Sequence, residues 1–294
     1  MSFARDALEA AIDEQPDDAS RYAVLGDWCL QAGDARGELI SLQLAPSSSP
    51  EKQRREAELL LTDGIRISQA QRAQWRWGFV HTLSLFRTQE RWEDWTNTVL
   101  APALEHPSCR FLRELAIEAG PGDEVLRHLS AHPPRVLHAL SLTCNEVDLA
   151  NVGAELCRIT RLNLYAQLIV PAKISGLSEL EELSLPADAL SVEGLARVID
   201  SVSGIRKLTL SSLERFDRRS MFPVTLCRQL ESLTLRAEET TRDAVETIVD
   251  SSLRETLRVL DVSRSGMTEA AAHFLLESTR RFERLDSLLL GDAV

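Results

Sequence analysis

The chain has 294 residues, of which 44% are hydrophobic, so it is long enough to bury a sizeable interior. Its formal net charge of −12 argues against nucleic acid and anionic membranes as partners, because no long run of Lys and Arg offsets it. Five scattered cysteines without a C-x-x-C pair suggest neither a disulfide framework nor a zinc site. With no long apolar run and no signal-peptide pattern, we expect a soluble cytoplasmic protein without a cofactor.

The first 78 residues have a helical pattern. It runs through SFARDALEAAIDEQP, DDASRYAVLGDWCLQAG and DARGELISLQLA, and a charged helix follows a joint that contains Ser and Pro. Asp17 or Asp18 can cap the second helix, Gly33 can take the left-handed turn after it, and Asp34 can cap the third. We therefore predict a small all-α domain in this part of the chain.

From Val80 onward a six-residue phrase such as LEELSL (Leu180–Leu185) occurs nine times. Its second Leu stands at positions 83, 115, 140, 162, 183, 208, 233, 260 and 288, so the period is 21 to 32 residues. An L-x-x-L-x-L phrase with a period of 20–29 is the signature of a leucine-rich repeat. The two leucines of L-x-L point to one side of a strand, so stacked strands merge them into one core.

Between the phrases the apolar period becomes that of a helix. Such patterns occur at Ser191–Val202, Thr241–Leu253 and Met267–Thr279. Ser191 and Thr268 stand in capping positions, whereas the short segment 166–177 is expected to return in an extended or 3₁₀ conformation. We predict an α/β leucine-rich-repeat solenoid over residues 79–294: a horseshoe with a parallel concave sheet and a largely helical convex side.

The N-terminal segment resembles the repeat-companion domain that precedes degenerate leucine-rich repeats in a bacterial family. In that family an (A/G)DWL-like element is followed by GD-x-RGE(F/L)I-x-LQ. The matching residues are Gly26, Asp27, Trp28, Gly33, Asp34, Arg36, Gly37, Glu38, Leu39, Ile40, Leu42 and Gln43, and the segment from Trp75 to Val80 matches again. The repeats are similar to the ribonuclease-inhibitor-like subtype, although only Asn145 matches its ladder asparagine. The resemblance implies a fold and no established activity.

No catalytic motif is present. The sequence contains no nucleophile elbow, no dinucleotide or phosphate loop, no zinc-protease motif and no calcium loop. His128 and His132 lie four residues apart without a third candidate ligand nearby. We predict a non-enzymatic interaction module or adaptor, and an enzyme with an unrecognised site is the alternative from another class.

The outward strand positions are the predicted partner surface. The central column reads Ser84, Ala116, Ser141, Asn163, Ser184, Thr209, Thr234, Asp261 and Leu289. Beside it, Arg161, Glu182 and Lys207 can neutralise one another, whereas Tyr165 and Arg236 are larger groups on the other flank. We predict that a protein or peptide binds the concave face, at a patch around Asn163, Tyr165, Lys207 and Arg236. The full predicted set is Asn163, Tyr165, Ser184, Lys207, Thr209, Thr234, Arg236 and Asp261.

Two other surfaces are alternatives. Trp92 and Trp95 lie three residues apart, which favours one helix face, and an N-terminal aromatic surface could bind the partner while the solenoid serves as a scaffold. The last phrase, LDSLLL, carries Leu289 where most central positions are polar. It predicts a homodimer or a docked partner at the C-terminal repeat, and a self-assembling structural protein is a further reading.

Overall fold

The computed structural model describes residues 2–46, 49–62, 67, 72–86, 95–118, 122–172, 174, 176–202, 204–213, 229–238 and 240–291. The chain forms two compact units. The first unit comprises Met1–Glu118 and His132–Ala139, and the second comprises Ala119–Ala131 and Leu140–Val294. The predicted domain division after residue 78 stays a prediction. The first unit contains the N-terminal helices and also the first repeat phrases.

The first unit begins with helices whose caps follow the sequence. They are α1 (Ser2–Glu14), α2 (Ala19–Gln31), α3 (Ala35–Leu44), α4 (Pro50–Leu60) and α5 (Ala101–Glu105). The Asp18 side chain accepts a hydrogen bond from Ser20 N and the Asp34 side chain accepts one from Arg36 N. Gly33 has a φ of 74°, in the left-handed region. The predicted capping residues are thereby confirmed, with Asp18 capping the second helix.

Helices α2 and α3 approach each other closely at two glycines. A Cβ atom on Gly37 would lie 2.5 Å from Leu30 N and 2.6 Å from the Gly26 carbonyl oxygen. Any side chain at Gly37 would therefore push against backbone, which cannot move aside easily. At this close approach Ile40 of α3 lies against Gly26 of α2 and is buried.

A β-hairpin lies between α4 and α5 in the chain order of the first unit. Strand β1 (Arg72–Arg76) pairs antiparallel with β2 (Phe79–Phe86), and β2 pairs in parallel with β3 (Glu114–Glu118). The turn residues Trp77 and Gly78 have φ angles of 52° and 80°. The rings of Tyr22, Phe79 and Phe111 pack with centroids 4.7–6.0 Å apart, inside a core cluster that also contains Ile12 and Leu25. The helices and the hairpin thus share one core.

The strands of the second unit follow one another in chain order. They are β4 (Ala139–Asp148), β5 (Arg161–Val170), β6 (Glu182–Pro186), β7 (Lys207–Leu213), β8 (Ser232–Ala237), β9 (Val259–Val262) and β10 (Ser287–Leu290). The pairs from β5 to β10 are parallel, and their register places Leu183 level with Leu208 and Leu208 level with Leu233. Leu183, Leu185, Leu208 and Leu210 are all buried. The predicted leucine core is confirmed.

The return segments are mostly helical. The α-helices are α6 (Gly122–Ala131), α7 (Val192–Ser201), α8 (Arg242–Asp250) and α9 (Glu269–Ser278). Short 3₁₀ turns lie at Pro107–Cys109, Leu149–Asn151, Ala154–Leu156, Ala187–Ala189, Ser252–Glu255 and Thr279–Arg281. Ser191 and Thr268 cap α7 and α9 as predicted. The repeating strand and return segment make this an α/β leucine-rich-repeat solenoid.

Candidate functional site

The central column is a straight row across five strands of the second unit. Asn163 is level with Ser184, Ser184 with Thr209, Thr209 with Thr234, and Thr234 with Asp261. At about 4.8 Å per strand the row is roughly 19 Å long. We call the outward side chains of β5 to β9 the strand face. Ser184 is only 8% exposed, so its side chain offers a partner very little surface, and its role in binding stays a prediction.

An internal ion-pair ladder occupies one flank of the strand face. The Glu182 carboxylate lies 3.1 Å from Arg161 Nε and 2.6 Å from Lys207 Nζ. Burial opposes the charge of Glu182. Hydrogen bonds and the positive charges of its two neighbours outweigh burial and lower the pKa of the Glu182 carboxyl group. The expected mutual neutralisation is confirmed, and Lys207 is consequently engaged within the chain.

A second charge ladder was missed by the sequence analysis. Its residues stand one position before those of the first ladder within the repeated phrase. Glu181, Arg206, Glu231, Arg258 and Asp286 alternate in sign on successive coils. The Glu181 carbonyl accepts hydrogen bonds from Arg206 N and Lys207 N, and the Arg206 carbonyl accepts two from the next coil in the same way. Arg206 Nη1 also lies 3.7 Å from the Glu231 carboxylate. The available signal in the sequence was the alternating charge of these residues, each of which directly follows the first apolar residue of its phrase.

A groove of about 340 Å³ lies along this second ladder. Its lining consists of Ser178, Glu179, Leu180, Glu181, Gly204, Arg206, Gln229 and Glu231. The lining has neither the His nor the Cys that a nucleophilic or general-base mechanism would use. The mixed charges of the groove belong to the ladder that aligns the coils.

The two large groups of the predicted patch lie well apart. Tyr165 is on β5 and Arg236 is on β8, three strand spacings or roughly 14 Å away. Tyr165 is 42% exposed, and Arg236 is half-buried without an ion pair in the part of the chain that the structure describes. A single compact contact cannot cover both residues, so a partner that binds them must extend across the strands.

Strand β5 carries an exposed apolar group that the sequence analysis did not single out. Leu168 is 49% exposed and Val170 is 37% exposed, in addition to Tyr165. Ala166 and Ile169 are buried, and the two residues between them, Gln167 and Leu168, are both exposed. The in–out alternation is therefore interrupted, and the strand bends there. The available signal was the break in alternation within AQLIV.

The tryptophan surface is only partly described. Trp95 is 0% exposed, so its ring is enclosed within the first unit, and its role in partner binding stays a prediction. Trp92 lies outside the described residues. Trp28 and Trp77 pack against the core cluster of the first unit, and Trp75 packs against the pair formed by Leu39 and Leu59.

Two polar side chains of α3 hold the hairpin turn. Arg36 donates from Nη1 to the Gly78 carbonyl oxygen (3.2 Å) and from Nη2 to Ser108 Oγ (3.2 Å). The Gln43 side-chain oxygen accepts from Gly78 N at 2.7 Å. The Arg36 guanidinium also lies over the Phe79 ring. The backbone N–H and C=O groups of Gly78 therefore both have hydrogen-bond partners on α3. These α3 side chains stabilise the hairpin turn.

Two buried thiols, Cys109 and Cys144, offer little reactivity. Burial raises the pKa of Cys109 to about 12 and that of Cys144 to about 11, so both are protonated at neutral pH. Within the described ranges, no group of three or more His, Cys, Asp or Glu side chains is arranged to hold a metal ion. Among the same residues, no helix is long and apolar enough to cross a membrane.

Comparison with known proteins adds only a distant likeness. No family model and no curated protein matches the chain, so the resemblance to the repeat-companion domain stays an expectation. Twelve chains of solved structures match. One of them, from the crystal structure of a TLR13–ssRNA13 complex, is 18% identical over 72% of this chain, with a TM-score of 0.42. This chain spans about a third of that one, since 32% of it is covered. The assignment to leucine-rich repeats rests on the phrase and its register.

Proposed function

We propose that the second unit binds a protein or peptide partner on its strand face. The observation that carries this proposal is Tyr165, a 42% exposed aromatic ring that lies beside a regular row of small polar side chains. Tyr and Arg are the residue types that most often dominate binding energy at interfaces. Both Tyr165 and Arg236 stand on this face.

The rest of the strand face suits a polar contact of moderate strength. Asn163, Thr209 and Thr234 are half-buried and present an amide and two hydroxyl groups in one straight row. Such groups give hydrogen bonds without steric obstacles, whereas large anchors are few. The partner is therefore expected to lie across several strands, with Tyr165 near one end of the contact.

The proposal includes a non-enzymatic adaptor role in the cytoplasm. The net charge of −12 disfavours nucleic acid, and the cations Arg161 and Lys207 are already paired with Glu182. Recognition by the first unit is the competing arrangement. It now depends on residues other than Trp95, whose ring is enclosed.

The test is capture of the native partner by a double variant. Tyr165→Ala combined with Arg236→Ala should abolish partner capture in affinity purification from native cells, followed by mass spectrometry. The matched control combines Leu276→Ala and Arg197→Ala, two exposed residues on α9 and α7. Undiminished capture by the first variant would contradict the strand-face site and favour the first unit.

A further inference from the structure

The chemistry of the partner can be inferred from the surroundings of β5. Tyr165, Leu168 and Val170 expose apolar side chains within six consecutive residues of one strand, roughly 17 Å of chain. We call these three residues the β5 surface. Exposed apolar side chains scattered singly need no explanation, but three on one strand segment form a patch of the kind that partners cover.

Carboxylates border the β5 surface on the β4 side. Strands β4 and β5 are neighbours and have the same burial pattern over LSLTCNEV and LNLYAQLI, so the two strands turn the same corner. Counting from the shared phrase, Glu146 is the counterpart of Leu168 and Asp148 that of Val170. The backbone N–H of Asp148 bonds to the Asp123 carboxylate at 2.6 Å, which adds a third acidic group nearby.

A further carboxylate stands on the β6 side. Asn163 is level with Ser184, so the chain beyond Tyr165 runs beside the 3₁₀ turn Ala187–Ala189, which contains the exposed Asp188. The apolar strip thus has negative charge on both sides. A long cationic side chain could reach these carboxylates while an apolar neighbour covers Leu168.

These carboxylates differ from the one in the ion-pair ladder. Glu182 has two cations within 3.1 Å. The side chains of Glu146 and Asp188, in contrast, form no hydrogen bond or ion pair within the described part of the chain. Negative charge that the fold leaves uncompensated beside exposed apolar surface is complementary to a positively charged partner.

We infer that the β5 surface docks a cationic peptide segment in which apolar side chains are flanked by Lys or Arg. The apolar side chains cover Leu168 and Val170 and pack on the Tyr165 ring. The basic side chains reach Glu146, Asp148 and Asp188. This inference rests on the proposed function and names the partner class for that site. A cation can also stack on the Tyr165 ring, which strengthens the same preference.

Binding of designed peptides tests the inference. The probe is a short fluorescein-labelled peptide in which Leu and Phe alternate with Arg and Lys, and its twin carries Glu and Asp at the basic positions. Fluorescence anisotropy should show binding of the basic peptide only. Binding should weaken strongly near 1 M salt, where the screening length is about 3 Å. Leu168→Ser and the pair Glu146→Lys with Asp188→Lys should each weaken it about tenfold or more.

Matched controls keep the test specific. Leu276→Ser removes a leucine that is exposed to a similar extent on α9, 53% against 49% for Leu168, and Glu255→Lys reverses an exposed charge elsewhere. Both controls should bind the basic peptide like the wild type. Circular dichroism checks that every variant is folded.

Three results would overturn the inference: binding of the acidic twin as strong as that of the basic peptide, unchanged binding by the β5-surface variants, or no peptide binding at all. The proposed function has its own readout. If Tyr165→Ala with Arg236→Ala still abolishes partner capture, only the partner class is wrong. If that variant also captures the partner normally, the strand-face proposal falls with the inference.

Discussion

The two units use their polar and aromatic side chains in opposite ways. In the first unit Arg36 is buried on the hairpin turn, and Glu9 is buried between Arg5 and Arg110 at 2.8 Å from each. In the second unit Tyr165 and Leu168 project outward, and Glu146 and Asp188 beside them form no ion pair within the described residues.

This difference separates structural motifs from binding surfaces. The first unit carries the most distinctive sequence motif, and four of its polar residues form contacts within the fold: Asp34, Arg36, Glu38 and Gln43. The second unit carries a plain repeated phrase, whose outward positions are not required by the core. Free surface is therefore found where the sequence is least constrained by packing.

The largest effect should come from the leucine core of the second unit. Leu208→Ala should lower the free energy of unfolding by about 2–5 kcal/mol, because the side chain is buried between the leucine rows of β6 and β8. Thr209→Ala, the next residue and outward-facing, should cost less than about 0.5 kcal/mol. Urea denaturation measures the free energy of unfolding of both variants. Equal losses would mean that the inner and outer faces of the strand are wrongly assigned.

The next largest loss of stability is expected at Arg36, in the motif of the first unit. Arg36→Met should destabilise the fold by about 1.5–3 kcal/mol, since it removes charged hydrogen bonds to Gly78 and Ser108. Arg36→Lys should recover little, because an ammonium cannot reproduce the planar two-nitrogen contact. Thermal melts would refute the structural role of the motif if Arg36→Met melted like the wild type.

A smaller effect should appear with pH. The pKa of Glu182 is lowered in the fold, so its contribution is present at neutral pH and is lost as pH falls through the ordinary Glu range to the folded value. Glu182→Gln should flatten this part of the stability profile between about pH 5 and pH 3. The control is Glu193→Gln, which replaces an exposed carboxylate on α7 outside the ion-pair ladder.

The smallest effect on stability is expected at β10. Leu289 is 46% exposed and level with Asp261, and it remains the predicted centre of a homodimer contact. Leu289→Glu should leave the melting temperature nearly unchanged and shift a dimer to a monomer in light scattering at micromolar concentration. A monomer for both the wild type and the variant would exclude self-association through this strand.

The repeat and its caps were predictable because their signals are local. The leucine period, Asp34 and Ser191 each act within a few residues of themselves. The hydrogen bonds from Arg36 to Gly78 and Ser108 were not predictable, because the partners lie 42 and 72 residues away in the sequence. Local patterns do not encode such distant contacts.

The candidate site was predicted only in part, for similar reasons. The straight central column follows from the phrase, whereas the burial of Ser184 depends on what stands beside it on neighbouring strands. Leu168 was missed because strict alternation assigns its side chain to the interior, and the corner in β5 turns it outward. The enclosure of Trp95 was not predictable, because helical spacing gives a shared face but not the direction of that face.

The most direct test of the strand-face claim is site-specific photo-crosslinking in native cells. A benzophenone amino acid would replace Thr209 on the strand face in one variant and Arg197 on the outer side of α7 in another. The account predicts a crosslinked partner protein for position 209 and none for position 197. A crosslink at position 197 without one at position 209 would contradict it.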